Sequence, residues 1–348
     1  MMQTILALLM LLGLSSSGAA PAAANSQDDP RQLLAAARQA MGGEKALAAV
    51  RSFQVSGNAE RDLGFAVADQ AIEIACRLPD RFVRRASYNS VFGGPLSVWS
   101  ITTHRDGFAG SDLIRETTTE GDFVPTSPAV PRGPAPTPDQ EAAIRRDRLL
   151  GQQRIFARLA LVLFAESRPC YPLQFSSAGR VVLPDGKTAD AVDATGPDGA
   201  VMRLFIDDVS HLPVMLTWHE RAVVVSAPTA SAMIAVQSIA VVPSGTVQPG
   251  ASRPAVVPPP PPLAAGKQAI PPGAVPADRV SPGDPRSIPL FEHAWTIGAY
   301  RVADGLCWPH RLTERVDGRV LEDLKLRNFK LNGKIADSKF KIAKPDKE

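Results

Sequence analysis

Five histidines are the first residues to weigh for chemistry: His104, His211, His219, His293 and His310. A histidine does acid–base work when a carboxylate orients it, and metal work when further ligands converge on it. Only His219-Glu220 and Glu292-His293 set a histidine beside a carboxylate. Adjacent residues on a strand face opposite ways, so neither pair is a dyad by itself. There is no G-x-S-x-G elbow, H-E-x-x-H, G-x-G-x-x-G or Walker loop. Cys76, Cys170 and Cys307 match no zinc spacing. In an oxidising compartment they permit one disulfide and leave one thiol over, with the pairing open. Cys76 follows Ile72 and Ile74 on one strand face and reads as a small core residue. Asp207-Asp208 has the chemistry to hold a cation, but its place after a strand makes it a turn. No catalytic residue, metal or cofactor is expected from these motifs, and the chain is read as non-enzymatic.

The elements around these residues are mostly strands. Asp29-Pro30 caps and opens a helix carrying Leu33, Leu34, Ala37 and Met41, and Gly42-Gly43 breaks it. Glu44 to Val50 reads as a second, short helix. Alternation then takes over at Phe53, Val55 and Gly57, at Ile72, Ile74 and Cys76, and at Leu96, Val98 and Ser100. Asp106-Gly107 and Asp185-Gly186 are hairpin-type pairs. Thr137-Pro138-Asp139-Gln140 predicts the start of a central helix running to about Ala165. Its six arginines, from Arg145 to Arg168, are expected on a solvated face. Further strands are expected at 180–183, 189–194, 201–206, 214–219, 291–302, 306–316 and 319–331. A central helix interrupting one antiparallel meander predicts an α+β fold, a curved sheet wrapped around a helix.

The ends and insertions say where the chain works. An apolar run from Ile5 to Leu14 precedes Ala22-Ala23-Ala24, which predicts a signal peptide over residues 1–24, cleaved after Ala24. Ten apolar residues are too few to span a bilayer. The uncharged run 222–242 is long enough, but its Pro228, serines and β-branched residues suit strands. Proline-rich insertions fall at 125–138 and 243–289, within a single domain spanning 25–348. A net charge of +3 on 348 residues lacks the basic face that nucleic acid requires.

Several segments, taken in order, resemble one exported family. These are "ARQAMGGEKALAAVRSFQVSG", "IEIACRLPDRFVRR", "HRDGFAG", "AVMRLFIDDVSHLPVMLTWHE", "YRVADGLCWPHRLTERVDG" and "FKLNGKIADSKF". Together they resemble the outer-membrane lipoprotein carriers, the LolA/LolB-like group, over most of residues 29–345. The resemblance implies a strongly curved antiparallel sheet, an incomplete half-barrel with helices packed on its concave side. It also implies a periplasmic, monomeric carrier holding acyl chains of a lipid or lipoprotein in an apolar cavity, and a membrane-bound delivery partner. Inward apolar residues would line that cavity: Phe53, Val55, Ile72, Ile74, Phe82, Val98, Leu204, Ile206, Val214, Leu216 and Trp218. Residues 29–50 or 137–165 would be its lid. In the family a basic residue directly precedes the proline of the Phe segment and latches the lid. Here Leu78 holds that place, and Arg77, Arg81 and Arg84 stand nearby as candidate latches. The alternative is a non-catalytic envelope module that docks or senses a protein partner. "LNGKIADSKF" would then close the fold: Asn332-Gly333 turns the last strand and Phe340 tucks back against the sheet.

Overall fold

The computed structural model describes residues 29–64, 66–92, 98–121, 136–225, 239–240, 270–276, 279–280 and 287–341. The expected signal peptide and most of both proline-rich insertions lie outside them. Helices α1 (Pro30–Ala40) and α2 (Glu44–Ala48) lead into β1 (Ser52–Asp62), β2 (Val67–Arg77), β3 (Arg81–Phe92), β4 (Val98–Ala109) and β5 (Asp112–Gly121). Helix α3 (Pro138–Phe164) follows. Then come β6 (Gln174–Val182), β7 (Thr188–Thr195), β8 (Val201–Asp207), β9 (Pro213–Arg221) and the short β10 (Val223–Val225), β11 (Ile239–Ala240) and β12 (Ala274–Pro276). The chain ends with β13 (Leu290–Gly298), β14 (Arg301–Ala303), β15 (Leu306–Trp308), β16 (Arg311–Val316), β17 (Arg319–Leu331) and a 3-10 turn, Asp337–Phe340.

One curved sheet carries nearly all of this. Its strand order is β5-β4-β3-β2-β1-β17-β16-β13-β9-β8-β7-β6, with β11 added on β3, and it does not close. The last long strand therefore sits between β1 and β16, joining a meander from before α3 to one from after it. Local signals explain the boundaries. Asp29 accepts a hydrogen bond from the Arg31 amide at 3.0 Å, and Pro30 takes the first position of α1. At α3, Gln140 N–H donates to the Thr137 hydroxyl at 3.3 Å, and Thr137 N–H donates back to Gln140 Oε1 at 2.9 Å. This reciprocal box satisfies two otherwise unpaired donors.

Two expectations are corrected. Asp106-Gly107 is no turn: both residues lie inside β4, and the chain reverses after Ala109. Glycine is needed there for another reason. A Cβ on Gly107 would stand 2.0 Å from the Phe82 carbonyl oxygen, so the residue marks close backbone approach. The arginines of α3 do not all face water either. Arg158 is only 7% exposed.

The C-terminal stretch closes the fold on the convex side. Asn332 Oδ1 accepts from Arg51 N–H at 2.7 Å, which pins the turn after β17 to the start of β1. Phe340 and Ile335 then pack with Ala75, Val83 and Ile114 on the outer face of β2, β3 and β5. Arg105 donates to the carbonyls of Ser338, Lys339 and Lys341. Phe340→Ala is expected to cost about 3 kcal/mol and to free this strap. The checks are denaturant unfolding and faster amide exchange over 335–341, with β13 unaffected.

Candidate functional site

The concave face is apolar across the sheet. Phe53, Val55, Ile72, Ile74, Phe82, Leu204, Ile206, Leu216 and Trp218 are all buried in one continuous core. Period-two alternation puts them there, since each strand contributes every second residue. Val214 is turned away from them. A bulge opposite Phe205 and Ile206 shifts the register, and Val214 packs with Leu183, Ala189, Ala191 and Phe205 on the other side. Val98 begins β4, and its side chain lies outside the described set.

Helix α3 fills this concavity, and it changes character along its length. Residues 138–148 are exposed, while Phe156–Phe164 are buried without interruption. Gly151 stands between the two halves. A mid-helix glycine costs about 1 kcal/mol relative to alanine, so the two halves are joined at the weakest point of the helix. In the buried half, the Phe156 ring lies 5.6 Å from Phe82 and 5.7 Å from Phe108. Phe164 lies 5.7 Å from Phe53 and 5.6 Å from Trp308. Helix α1 joins them through Leu34, Ala37 and Met41, and Arg38 Nη1 donates to the Ala165 carbonyl at 3.1 Å.

Polar contacts fasten α3 at specific places. Arg154 Nε donates to Asp198 Oδ2 at 2.6 Å, and the Tyr171 hydroxyl donates to Asp198 Oδ1 at 2.6 Å. Burial, then the bond to Asp198, pushes the Tyr171 hydroxyl up to about 12. One turn on, Arg158 Nη2 donates to Glu220 Oε2 at 3.0 Å, and its guanidinium lies 4.2 Å from the Trp218 ring centroid. Trp218 Nε1 donates to the same Glu220 oxygen at 3.0 Å.

Beyond α3 the concave face becomes polar. His293 stacks on Trp218 at 5.3 Å and shares a 2.9 Å hydrogen bond with Glu314, whose other oxygen accepts from Trp295 Nε1 at 3.2 Å. Glu314 pairs in register with Glu322 on the next strand. Like charges placed opposite repel, and each carboxylate has its own hydrogen-bond partners here. Glu322 is met by Arg61 at 3.3 Å and by Arg84. Burial alone would raise the Glu314 carboxyl. The hydrogen bonds from His293 and Trp295 outweigh it and hold the carboxyl below its ordinary range. A depressed folded-state pKa adds stability above the unfolded value, and this stability is lost as pH falls through the folded value. Glu314→Gln is therefore expected to melt below the wild type near neutral pH, with the gap closing below about pH 4. Paired thermal melts across that range are the check.

The other sequence candidates are dispersed. Arg77 Nη1 donates to Asp337 at 2.6 Å, and Arg81 lies 3.6 Å from the same carboxylate. Both hold the C-terminal strap on the convex side, whereas Arg84 faces inward to Glu322. The adjacent His–carboxylate pairs are not dyads: Glu220 bonds inward to Arg158 and Trp218 while His219 is exposed, and His293 bonds Glu314 while Glu292 is exposed. Asp207 caps its own turn, accepting from the Ser210 amide and hydroxyl. No group of three His, Cys, Asp or Glu that could hold a metal occurs among the described residues, and none of their helices is long and apolar enough to cross a membrane. Arg158, Glu220 and Glu314 were missed because they pair across strands and between helix and sheet. Only the placement of Glu220 two residues after Trp218 hinted at it.

These observations define an unclosed antiparallel half-barrel with a helix seated in its concavity. No family model matches the chain, and no curated protein matches it significantly. Among solved structures it is similar to a DUF1329 family protein from Desulfovibrio piger, at 8% identity and TM-score 0.38, over 90% of this chain and 98% of that one. It is also similar to a LolA superfamily protein from Nitrosomonas europaea, at 10% identity and TM-score 0.39, over 90% of this chain and 97% of that one. A third is a domain from Vibrio parahaemolyticus described as an outer membrane lipoprotein-sorting protein, at 8% identity and TM-score 0.38, over 90% and 97%.

Proposed function

We propose that this chain is a non-catalytic, periplasmic carrier-like protein of residues 25–348 that holds acyl chains of a lipid or lipoprotein on its concave face. The reading places export cleavage after Ala24 and treats the proline-rich stretches as insertions in one domain. It supposes that the second half of α3 is the lid, seated in the closed state. One observation supports it above the others. The apolar concave face is covered by a helix segment that pairs with no strand and is held through side chains alone, the apolar residues of Phe156–Phe164 and the ion pairs of Arg154 and Arg158. Lifting such a segment breaks no backbone ladder. It exposes a trough lined by Phe53, Val55, Ile72, Ile74, Phe82, Leu204, Ile206, Leu216 and Trp218. Each CH₂ that re-covers it gains about 0.8 kcal/mol without directional chemistry. Arg84 would stand at the mouth, while Arg77 and Arg81 would serve the convex strap.

The test is native mass spectrometry of residues 25–348 purified from a periplasm without detergent, followed by extraction of bound lipid. A stoichiometric acylated ligand is expected. A clean unliganded mass with no uptake on lipid titration would move the reading to a docking or sensing module of the envelope.

A further inference from the structure

A groove of about 480 Å³ opens between the first half of α3 and the edge strand β5, lined by Leu113, Arg115, Glu141, Ile144, Arg145 and Arg148. It also touches Pro136. Its volume falls within the range of about 300–1,000 Å³ typical of small-molecule clefts. Residues 141, 144, 145 and 148 lie on one helical stripe. Continued at helical spacing, that stripe runs through 155, 156, 159 and 163, where Phe156, Leu159 and Leu163 pack into the core. The same face is thus apolar where it touches the sheet and arginine-rich where it stands off it. That is no packing surface, and its charge is only loosely paired with neighbours. Arg145 lies 3.7 Å from Asp112, and Arg115 lies 3.8 Å from Asp106, both as long, exposed pairs. Such pairs contribute about 0–1 kcal/mol. Arg148 has no ion pair among the described residues. Three guanidiniums therefore line the groove with one carboxylate, Glu141, while Asp112 and Asp106 hold two of them loosely from outside its lining, and beside them stand a half-buried Leu113 and an Ile144 that is 43% exposed.

We propose that this groove binds a free fatty acid, its carboxylate held by Arg145 and Arg148 and its chain laid along Leu113 and Ile144. Guanidiniums one turn apart match a planar carboxylate, which accepts paired N–H donors. The chain gains from covering two apolar side chains that water now wets. The site is separate from the seat of α3 in the concavity, and it stands whether or not that seat takes acyl chains.

The experiment uses a diazirine-bearing palmitic acid analogue and its methyl ester on the exported chain, with adducts mapped by peptide mass spectrometry. Uncharged ester and charged acid share a chain and differ at the head. The acid is expected to label peptides spanning 113–115 and 144–148, with affinity at least tenfold above the ester. Arg145→Glu/Arg148→Glu is expected to lower acid affinity at least tenfold while its thermal melt matches the wild type, since both side chains are exposed. Arg146→Glu/Lys334→Glu, both exposed and off the stripe, makes the same change in net charge and keeps wild-type affinity. Equal binding of acid and ester, adducts confined to β8 and β9, or equal losses for the stripe and control variants would each overturn the proposal. Adducts on β8 and β9 alone would at the same time favour the concave seat, so the two readings fail separately.

Discussion

Glu220→Ala is expected to loosen the second half of α3 before it loosens the sheet. The Arg158 side chain is 8% exposed, and its hydrogen-bonded partner is Glu220. Its Nε is already without a partner. Removing the carboxylate leaves a buried guanidinium resting on Trp218 with no hydrogen bond. Breaking a buried pair from one side costs about 3–5 kcal/mol. Glu220 is itself 46% exposed, so the cost is discounted to about 2 kcal/mol. That corresponds to about a thirtyfold shift toward local opening of α3. Amide exchange is the direct measurement. Protection over 152–164 should fall by about that factor, while β1 and β2 keep theirs. Arg158→Met/Glu220→Ala should restore most of the loss, because an apolar side chain of similar volume leaves no stranded charge. A uniform loss of protection across the sheet would make α3 an inseparable part of the core and remove the lid from the proposed function.

The fold was far more legible than the seat of the helix. Alternation at Phe53, Val55, Ile72 and Ile74 named one face of two strands, and the capping signature at Thr137 placed the start of α3. These are local signals, carried by neighbours in sequence. Asp106-Gly107 misled because a turn pair and a site of close strand approach both demand glycine, and only the partner strand tells them apart. Val214 followed the period-two pattern until a bulge displaced it. Arg158 was the largest omission. In sequence it is one of six arginines between Arg145 and Arg168. It becomes distinctive only when Glu220, 62 residues on, and Trp218 meet it. The convex strap was half-read. Asn332-Gly333 and Phe340 were recognised as a closure, but Arg77 and Arg105 gain their role only from the sheet curvature that brings Asp337 and the Lys339 carbonyl to them.

Phe156→Ala carries the second large expected effect, and it separates a lid from a plain core. Phe156 is 1% exposed and lies between Phe82 and Phe108. Truncating such a ring costs about 3–5 kcal/mol through lost transfer energy and the void left behind. The walls of that void are apolar, so it should stay dry and accept a small apolar guest. Benzene is expected to recover part of the lost stability in denaturant unfolding. The lid reading adds a consequence that stability alone does not. If acyl chains bind where α3 now sits, the variant has less to displace, and acyl uptake should rise as stability falls. Ile114→Ala supplies the comparison. Ile114 belongs to the convex cluster with Phe340, and its loss should cost about 2–5 kcal/mol without touching the concave seat. Uptake that rises in Phe156→Ala and holds steady in Ile114→Ala ties acyl binding to the seat of α3. Uptake that tracks stability alike in both variants would place binding in loosened protein, and the concave face would then be a core and nothing more.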